Sequence, residues 1–355
     1  MFYKYLRVAL LMLLLILAGI ALFRNGNTPH LSAQEEKPAS HHTSSGKEYE
    51  GFALILRIFF KPLPEKMPGS SNDTPEKVAL GKRLYFERGI SLTKTQACND
   101  CHRLDGNQAG VDYEATSKGA KGTLGTRNSP TVLNAGFEVG QFWDGRAADL
   151  VEQAKGPLLN PIEMGMPTAK DVVDRLKSVD EYRREFASAF PGEEDPVTLD
   201  NVAIAIAAFE RTLITPSRFD RYLKGDASAL TQVEERGLHK FVHSGCMECH
   251  NSRPMGGRTF QKLGIHHPYS NQKDLGRYEV TQNQEDRFVF KVPMLRNVTL
   301  TPPYFHDGQV ATLPEAIRLM EWLQLNTVAS PHEIAELEAF LHSLEAEHPL
   351  NIDKP

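Results

Sequence analysis

A mainly α-helical fold of two modules in tandem is what this sequence predicts, on three observations. The pentapeptide Cys-x-x-Cys-His occurs twice, as Cys98-Asn99-Asp100-Cys101-His102 and as Cys246-Met247-Glu248-Cys249-His250. Each copy follows a stretch with helical apolar spacing. The length of 355 residues allows two domains of ordinary size, each able to bury its own core. The pentapeptide is the attachment signature of c-type haem, in which two thiols add to the porphyrin vinyl groups and the adjoining histidine binds iron. Two cytochrome c-type haem domains are therefore expected, at 51–215 and 216–347, each carrying one covalent haem.

Cysteine usage decides among the other chemistries open to such a motif. A four-thiolate zinc site keeps its two Cys-x-x-Cys knuckles about 15–20 residues apart, whereas these lie 148 positions apart. A thioredoxin-like pair has no need of the trailing histidine and sits beside a βαβ pattern that is absent here. All four cysteines of the chain fall inside the two motifs, so none remains for a disulfide framework.

Composition narrows the partners. Lys plus Arg is 40 and Asp plus Glu is 45, and a net charge of −5 gives no sign of nucleic-acid binding. The chain opens MFYKYLR and continues through sixteen uncharged residues to Arg24, a basic start before an apolar run that reads as an export signal. Leu31-Ser32-Ala33 is a mediocre cleavage site, so retention of residues 1–33 as a membrane anchor is expected over cleavage. Residues 34–50 are almost wholly polar and read as a flexible linker, in which His41 and His42 receive no role.

The helices follow from caps and spacing. Thr74 and Pro75 open a helix through Val78, Leu80, Leu84 and Phe86 that leads to the first motif. A second helix is expected from Thr168 to Phe190, capped by Thr168 with Asp171, and a third from Asp200 to Ile214. Thr215-Pro216-Ser217 marks the boundary. Thr231 with Glu234 caps the helix leading to the second motif, and Phe288 to Val292 alternates like a short strand. Thr312 with Glu315 caps a helix bearing Ala316, Ile317, Met320 and Leu323, and the last helix starts at Ser330-Pro331.

Between these elements stand Arg127-Asn128-Ser129-Pro130, Gln141-Phe142-Trp143-Asp144-Gly145-Arg146, Gln153-Ala154-Lys155-Gly156-Pro157, Pro161-Ile162-Glu163-Met164, Leu295-Arg296-Asn297 and Tyr304-Phe305-His306-Asp307-Gly308. In their order and spacing, over about residues 51 to 345, they resemble the bacterial dihaem cytochrome c peroxidases. The resemblance implies reduction of hydrogen peroxide to water, with electrons from a small periplasmic cytochrome c or a copper protein. It implies that Glu163 is the peroxide-cleaving carboxylate with Gln153 beside it, and that Trp143 lies between the haems. His102 and His250 would bind iron, with Met320 as the sixth ligand of the second haem and Met294 its rival. One calcium ion would be held by Asn128 and by the carbonyls of Thr301 and Pro303, and pairing into a homodimer is common in the family. Independently of the name, cleavage of a peroxide O–O bond needs a base that moves a proton between its oxygens.

One departure matters. Many such peroxidases carry a histidine that blocks the first haem until the second is reduced, yet no histidine occurs from 103 to 238 here. The aligned position is Ala120, and the neighbouring Lys118 and Lys121 are expected to be protonated at the surface. His266 and His267 read as loop residues. Two rivals remain: an enzyme that oxidatively modifies a partner protein, whose relatives ligate the second iron with tyrosine where this chain has Met320, and a dihaem electron carrier without enzymatic activity.

Overall fold

The structure is a computed structural model that describes residues 52, 56–105, 109–348, 350, 352, 354 and 355. The expected export segment at 1–33 and the linker at 34–50 lie outside the described residues. Among the described residues no helix is long and apolar enough to cross a membrane.

The helices in chain order are α1 (Pro75–Tyr85), α2 (Cys98–Cys101), α3 (Leu150–Leu159), α4 (Ala169–Lys177), α5 (Asp180–Ala189), α6 (Leu199–Glu210), α7 (Arg218–Leu223), α8 (Gln232–His243), α9 (Tyr278–Thr281), α10 (Leu313–Met320) and α11 (Pro331–His342). Strands β1 (Phe260–Lys262) and β2 (Val289–Lys291) pair antiparallel, with Phe260 opposite Lys291. The caps form as the sequence predicts: Thr74, Thr168, Thr231, Thr312 and Ser330 each accept a backbone N–H three residues on.

Two expectations need correction. The single helix expected over 168–190 is two, α4 and α5, because its apolar positions do not share one helical phase. Val172 and Leu176 are four apart, but Leu176 and Tyr182 are six apart, about 240° out of step at 3.6 residues per turn. The break at Ser178 and Val179 lets Val172, Leu176, Tyr182 and Phe186 all enter one core, each no more than 2% exposed. The segment at the start of the first expected module also packs elsewhere: Leu56 and Phe60 join Phe219, Phe241 and Phe340 in the second core, and Leu350 and Ile352 return to the first.

Each core is built around a leader helix crossing a closing helix. Gly81 of α1 lies against the carbonyl of Ala205 in α6, and Gly237 of α8 lies against the carbonyl of Glu336 in α11. An added Cβ would come within 1.8 and 1.9 Å of those oxygens, so only glycine permits either crossing.

The repetition continues through the loops. Pro130-x₃-Asn134-x₇-Phe142-x-Asp144-Gly145 recurs as Pro293-x₃-Asn297-x₇-Phe305-x-Asp307-Gly308, offset by 163 positions. The backbone repeats with it. Asn134 and Asn297 have φ of 62° and 61°, Phe142 and Phe305 have 66° and 67°, and antiparallel bridges join Gln141 to Ala147 and Tyr304 to Val310.

The two copies meet at Thr215. Its hydroxyl accepts from Nδ2 of Asn134 at 2.7 Å and from Nδ2 of Asn297 at 2.8 Å. Asn134 Oδ1 accepts the N–H of Thr215, and Asn297 Oδ1 accepts that of Ala346. Beside this knot the buried Arg296 guanidinium donates twice to Asp220, at 2.6 and 2.8 Å. Burial pushes the Asp220 carboxyl up, but Arg296 and the N–H groups of Leu63 and Ser217 outweigh it and leave the group below its usual range.

Thr215→Val keeps the shape and removes the shared acceptor, stranding two buried amides. A buried donor without a partner costs about 1–3 kcal/mol, so the haem-loaded variant should lose roughly 2–6 kcal/mol in denaturant unfolding. A loss below about 0.5 kcal/mol would show that the knot contributes nothing beyond packing.

Candidate functional site

Two cavities open beside the two Cys-x-x-Cys-His motifs. The first, of about 540 Å³, is lined by Cys98, Cys101 and His102 and by Gln153, Pro157 and Glu163, with Trp143 also in its lining. The second, of about 210 Å³, is walled by Cys246, Cys249, His250 and Met320, and again by Trp143. Trp143 lines both, so the cavities share a wall.

The histidines are held as metal ligands need. His102 Nδ1 donates to the carbonyl of Pro130 at 3.0 Å, and His250 Nδ1 to that of Met255 at 3.1 Å. These bonds select the tautomer that leaves Nε2 free to bind metal. Burial lowers both imidazoles, His102 against the Asp112 charge and the Pro130 carbonyl, and His250 to about 4 against the carbonyls of Met255 and Pro293, which favours the neutral form that binds metal.

Glu163 follows α3, whose Pro157 and succeeding Asn160-Pro161 turn the chain back toward the cavity. Asn160 Nδ2 donates to Glu163 Oε1 at 3.0 Å. Burial pushes the Glu163 carboxyl up, opposed by the Arg146 charge and the Asn160 bond. The loop holding Ala120 is docked on this same turn. Ala120 N–H donates to the Glu163 carbonyl at 2.8 Å, and Gly119 packs so closely on the Ile162 carbonyl that a Cβ would lie 1.7 Å from it. Neither Ala120, Lys118 nor Lys121 lines the cavity.

Among the other expected site residues, Met320 lines the second cavity and Met294 does not. Asn128 sits on the partition: its N–H donates to the His306 carbonyl at 2.7 Å and its carbonyl accepts from Trp143 Nε1 at 2.9 Å. Its side-chain amide donates to the carbonyl of Glu114 at 2.9 Å. Thr301 and Pro303 lie on the loop that leads to His306. His266 and His267 line neither cavity, and His267 stacks on Trp322 with ring centroids 3.5 Å apart.

Two residues were not foreseen as site residues. His306, in the position that Trp143 holds in the other copy, stacks on Phe290 at 4.3 Å, meets Trp143 edge-on at 6.4 Å and lines the second cavity. Aligning the two copies of the repeat would have found it. Glu210, the last residue of α6, lines the first cavity at 4% exposure, and burial raises its carboxyl to about 8. Its helical phase alone marks it as an anomaly, an acid on the buried face.

These walls fit haem. Each offers two thiols and a neutral imidazole with Nε2 free, and the second adds a thioether. Among the described residues four buried side-chain polar atoms lack a partner, and three of them, on Glu210, His306 and Glu321, belong to cavity walls. Buried polar atoms without partners are rare, and their gathering at these walls suits a cofactor that carries polar groups of its own.

Comparison with known proteins places the chain in a family. The family model for di-haem cytochrome c peroxidase matches residues 75–228. The chain is 44% identical over 282 residues to cytochrome c551 peroxidase of Nitrosomonas europaea, covering 78% of this chain and 83% of the relative. It is 43% identical over 297 residues to the cytochrome c551 peroxidase of Pseudomonas aeruginosa, covering 82% and 85%. A crystal structure of a MauG-like protein associated with microbial copper homeostasis superposes with a TM-score of 0.71 at 30% identity, covering 83% of this chain and 96% of that one. With its two haem-attachment motifs, two walled cavities and these relatives, the chain belongs to the di-haem cytochrome c peroxidase family and is a peroxidase oxidoreductase with two c-type haems.

Proposed function

We propose that this protein reduces hydrogen peroxide to water in the periplasm, with electrons from a small cytochrome c or copper protein. The observation that carries the reading is the first cavity, whose lining brings a carboxyl, an amide and an aromatic together with a Cys-x-x-Cys-His motif. When bound, the two haems would supply the electron transfer between the donor and peroxide.

The chain's own residues do the rest. His102 and His250 would hold the irons, and Met320 would be a further ligand of the second, where a thioether raises the potential of a c-type haem. The Glu163 carboxylate takes a proton from the near oxygen of hydrogen peroxide and gives it to the far oxygen, which leaves as water. Two electrons and two protons complete the reduction to two water molecules. Gln153 orients the peroxide, and Trp143 joins the cavities for electron transfer. One calcium ion belongs to the same reading, bound by Asn128 and the carbonyls of Thr301 and Pro303; the bond from Asn128 to the His306 carbonyl, which ties these two loops together, supports it. Oxidative modification of a partner protein is the alternative, and a thioether in place of a tyrosine at Met320 weighs against it.

Glu163→Gln keeps the shape and removes the base. Peroxide turnover should fall about 10²–10⁴-fold, with haem content and spectra unchanged; wild-type turnover would move the role to another group.

The docked loop generates a second prediction. Ala120 is bonded to the Glu163 carbonyl, neither it nor Lys118 or Lys121 lines the first cavity, and no histidine occurs in the loop, so the loop offers the first iron no imidazole. Cyanide and peroxide should therefore bind the fully oxidised protein, whose electron paramagnetic resonance spectrum should contain a high-spin or water-bound haem. Two low-spin signals, and no reaction until one electron is added, would contradict this.

A further inference from the structure

The partition between the cavities has two equivalent positions, and the chain fills them differently. The repeat that equates Asn134 with Asn297 also equates Asn128 with Lys291 and Glu138 with Thr301, each 163 positions apart. The backbone confirms the match, since Lys291 N–H donates to the Trp143 carbonyl at 2.7 Å as Asn128 N–H donates to that of His306. On one side of the partition the pair is therefore neutral, Asn128 and Thr301. On the other it is Glu138 and Lys291, whose side chains form an ion pair at only 7% and 5% exposure.

Such a pair is a poor investment for stability alone. Removing two charges from water costs several kcal/mol per ion, roughly what their attraction returns. Burial indeed pushes the Glu138 carboxyl up, and Lys291 is the charge that opposes this. The neighbouring charges compensate one another, Arg127 and Arg146 against Asp144 and Asp274. Among the ion pairs of the described residues, the Glu138–Lys291 pair alone spans the wall, with Glu138 in the lining of the first cavity and Lys291 in that of the second.

We infer that Glu138 and Lys291 are positioning residues that separate the reduction potentials of the two haems. The inference rests on the reading that each cavity holds a haem. A cation at the second cavity favours the electron-rich form of the haem there and raises its potential. A carboxylate at the first favours the electron-poor form and lowers its potential. Electrons are thereby kept on the second haem while the first rests oxidised and ready for peroxide. The ammonium also stands where the repeat equates it with Asn128 of the proposed calcium site, so each half of the partition would hold a cation, a metal in one and a side chain in the other.

The test is a spectroscopically monitored potentiometric titration of the haem-loaded protein. In the double variant Glu138→Gln with Lys291→Gln, which keeps hydrogen-bonding capacity without charge, the second midpoint should fall, the first should rise and the gap should narrow. In the reversed pair, Glu138→Lys with Lys291→Glu, the gap should narrow further. A structural ion pair would be restored by reversal, so a wild-type gap in the reversed variant overturns the inference. Should that variant not load both haems, an unchanged gap in the neutral variant overturns it instead. A wild-type protein with one haem by pyridine haemochrome assay would refute the two-haem reading itself, and the inference with it.

Discussion

The hydroxyl of Thr215 accepts a hydrogen bond from each of two equivalent buried asparagines, and the placement of both haem sites depends on that junction. Asn134 and Asn297 sit in left-handed conformations that asparagine tolerates better than most residues. Each also ties its loop to the end of a closing helix, through the carbonyls of Leu213 and Leu344. The loop before each asparagine carries a proline whose carbonyl faces a haem-binding histidine, Pro130 toward His102 and Pro293 toward His250. A buried polar contact that looks purely structural thus sits beside the carbonyl that orients His102, while His250 is oriented by the Met255 carbonyl.

From the same junction the chain runs eight residues to the two aromatic positions of the partition. There the repetition ends in unlike residues, Trp143 and His306, which touch edge to face. The division of labour follows from what each half then adds. The first cavity is larger and gains carboxyls from α6 and from the turn after α3; the second is narrower and gains the thioether of Met320 at the end of α10. A wide space with a proton-exchanging group suits a small substrate. A smaller one lined by a thioether suits the proposed electron-entry site.

Much of this was legible in the sequence because it is local. Cys98-x-x-Cys101-His102 and Cys246-x-x-Cys249-His250 announce their chemistry by spacing, and the caps at Thr74, Thr231 and Ser330 announce helix starts by residue type. The break at Ser178 was legible in principle, since Leu176 and Tyr182 are out of helical phase, but a continuous polar and apolar mixture conceals it. What was not legible is long-range. Nothing near Thr215 shows that it serves Asn134 and Asn297, and nothing near Leu56 shows that it packs on the second core. His306 was hidden differently: its counterpart in the repeat is a tryptophan, so only the surrounding Phe, Asp and Gly mark the equivalence.

The shared wall makes a claim on electron flow that can be measured directly. With the second haem reduced by one electron and the first oxidised, rapid mixing with peroxide followed at both haem bands reports the transfer between them. In Trp143→Leu, with both haems bound and potentials near those of the wild type, that transfer should slow markedly while the donor still reduces the second haem at its normal rate. An unchanged rate of transfer would contradict the assignment of the wall, through Trp143, as the route between the two sites.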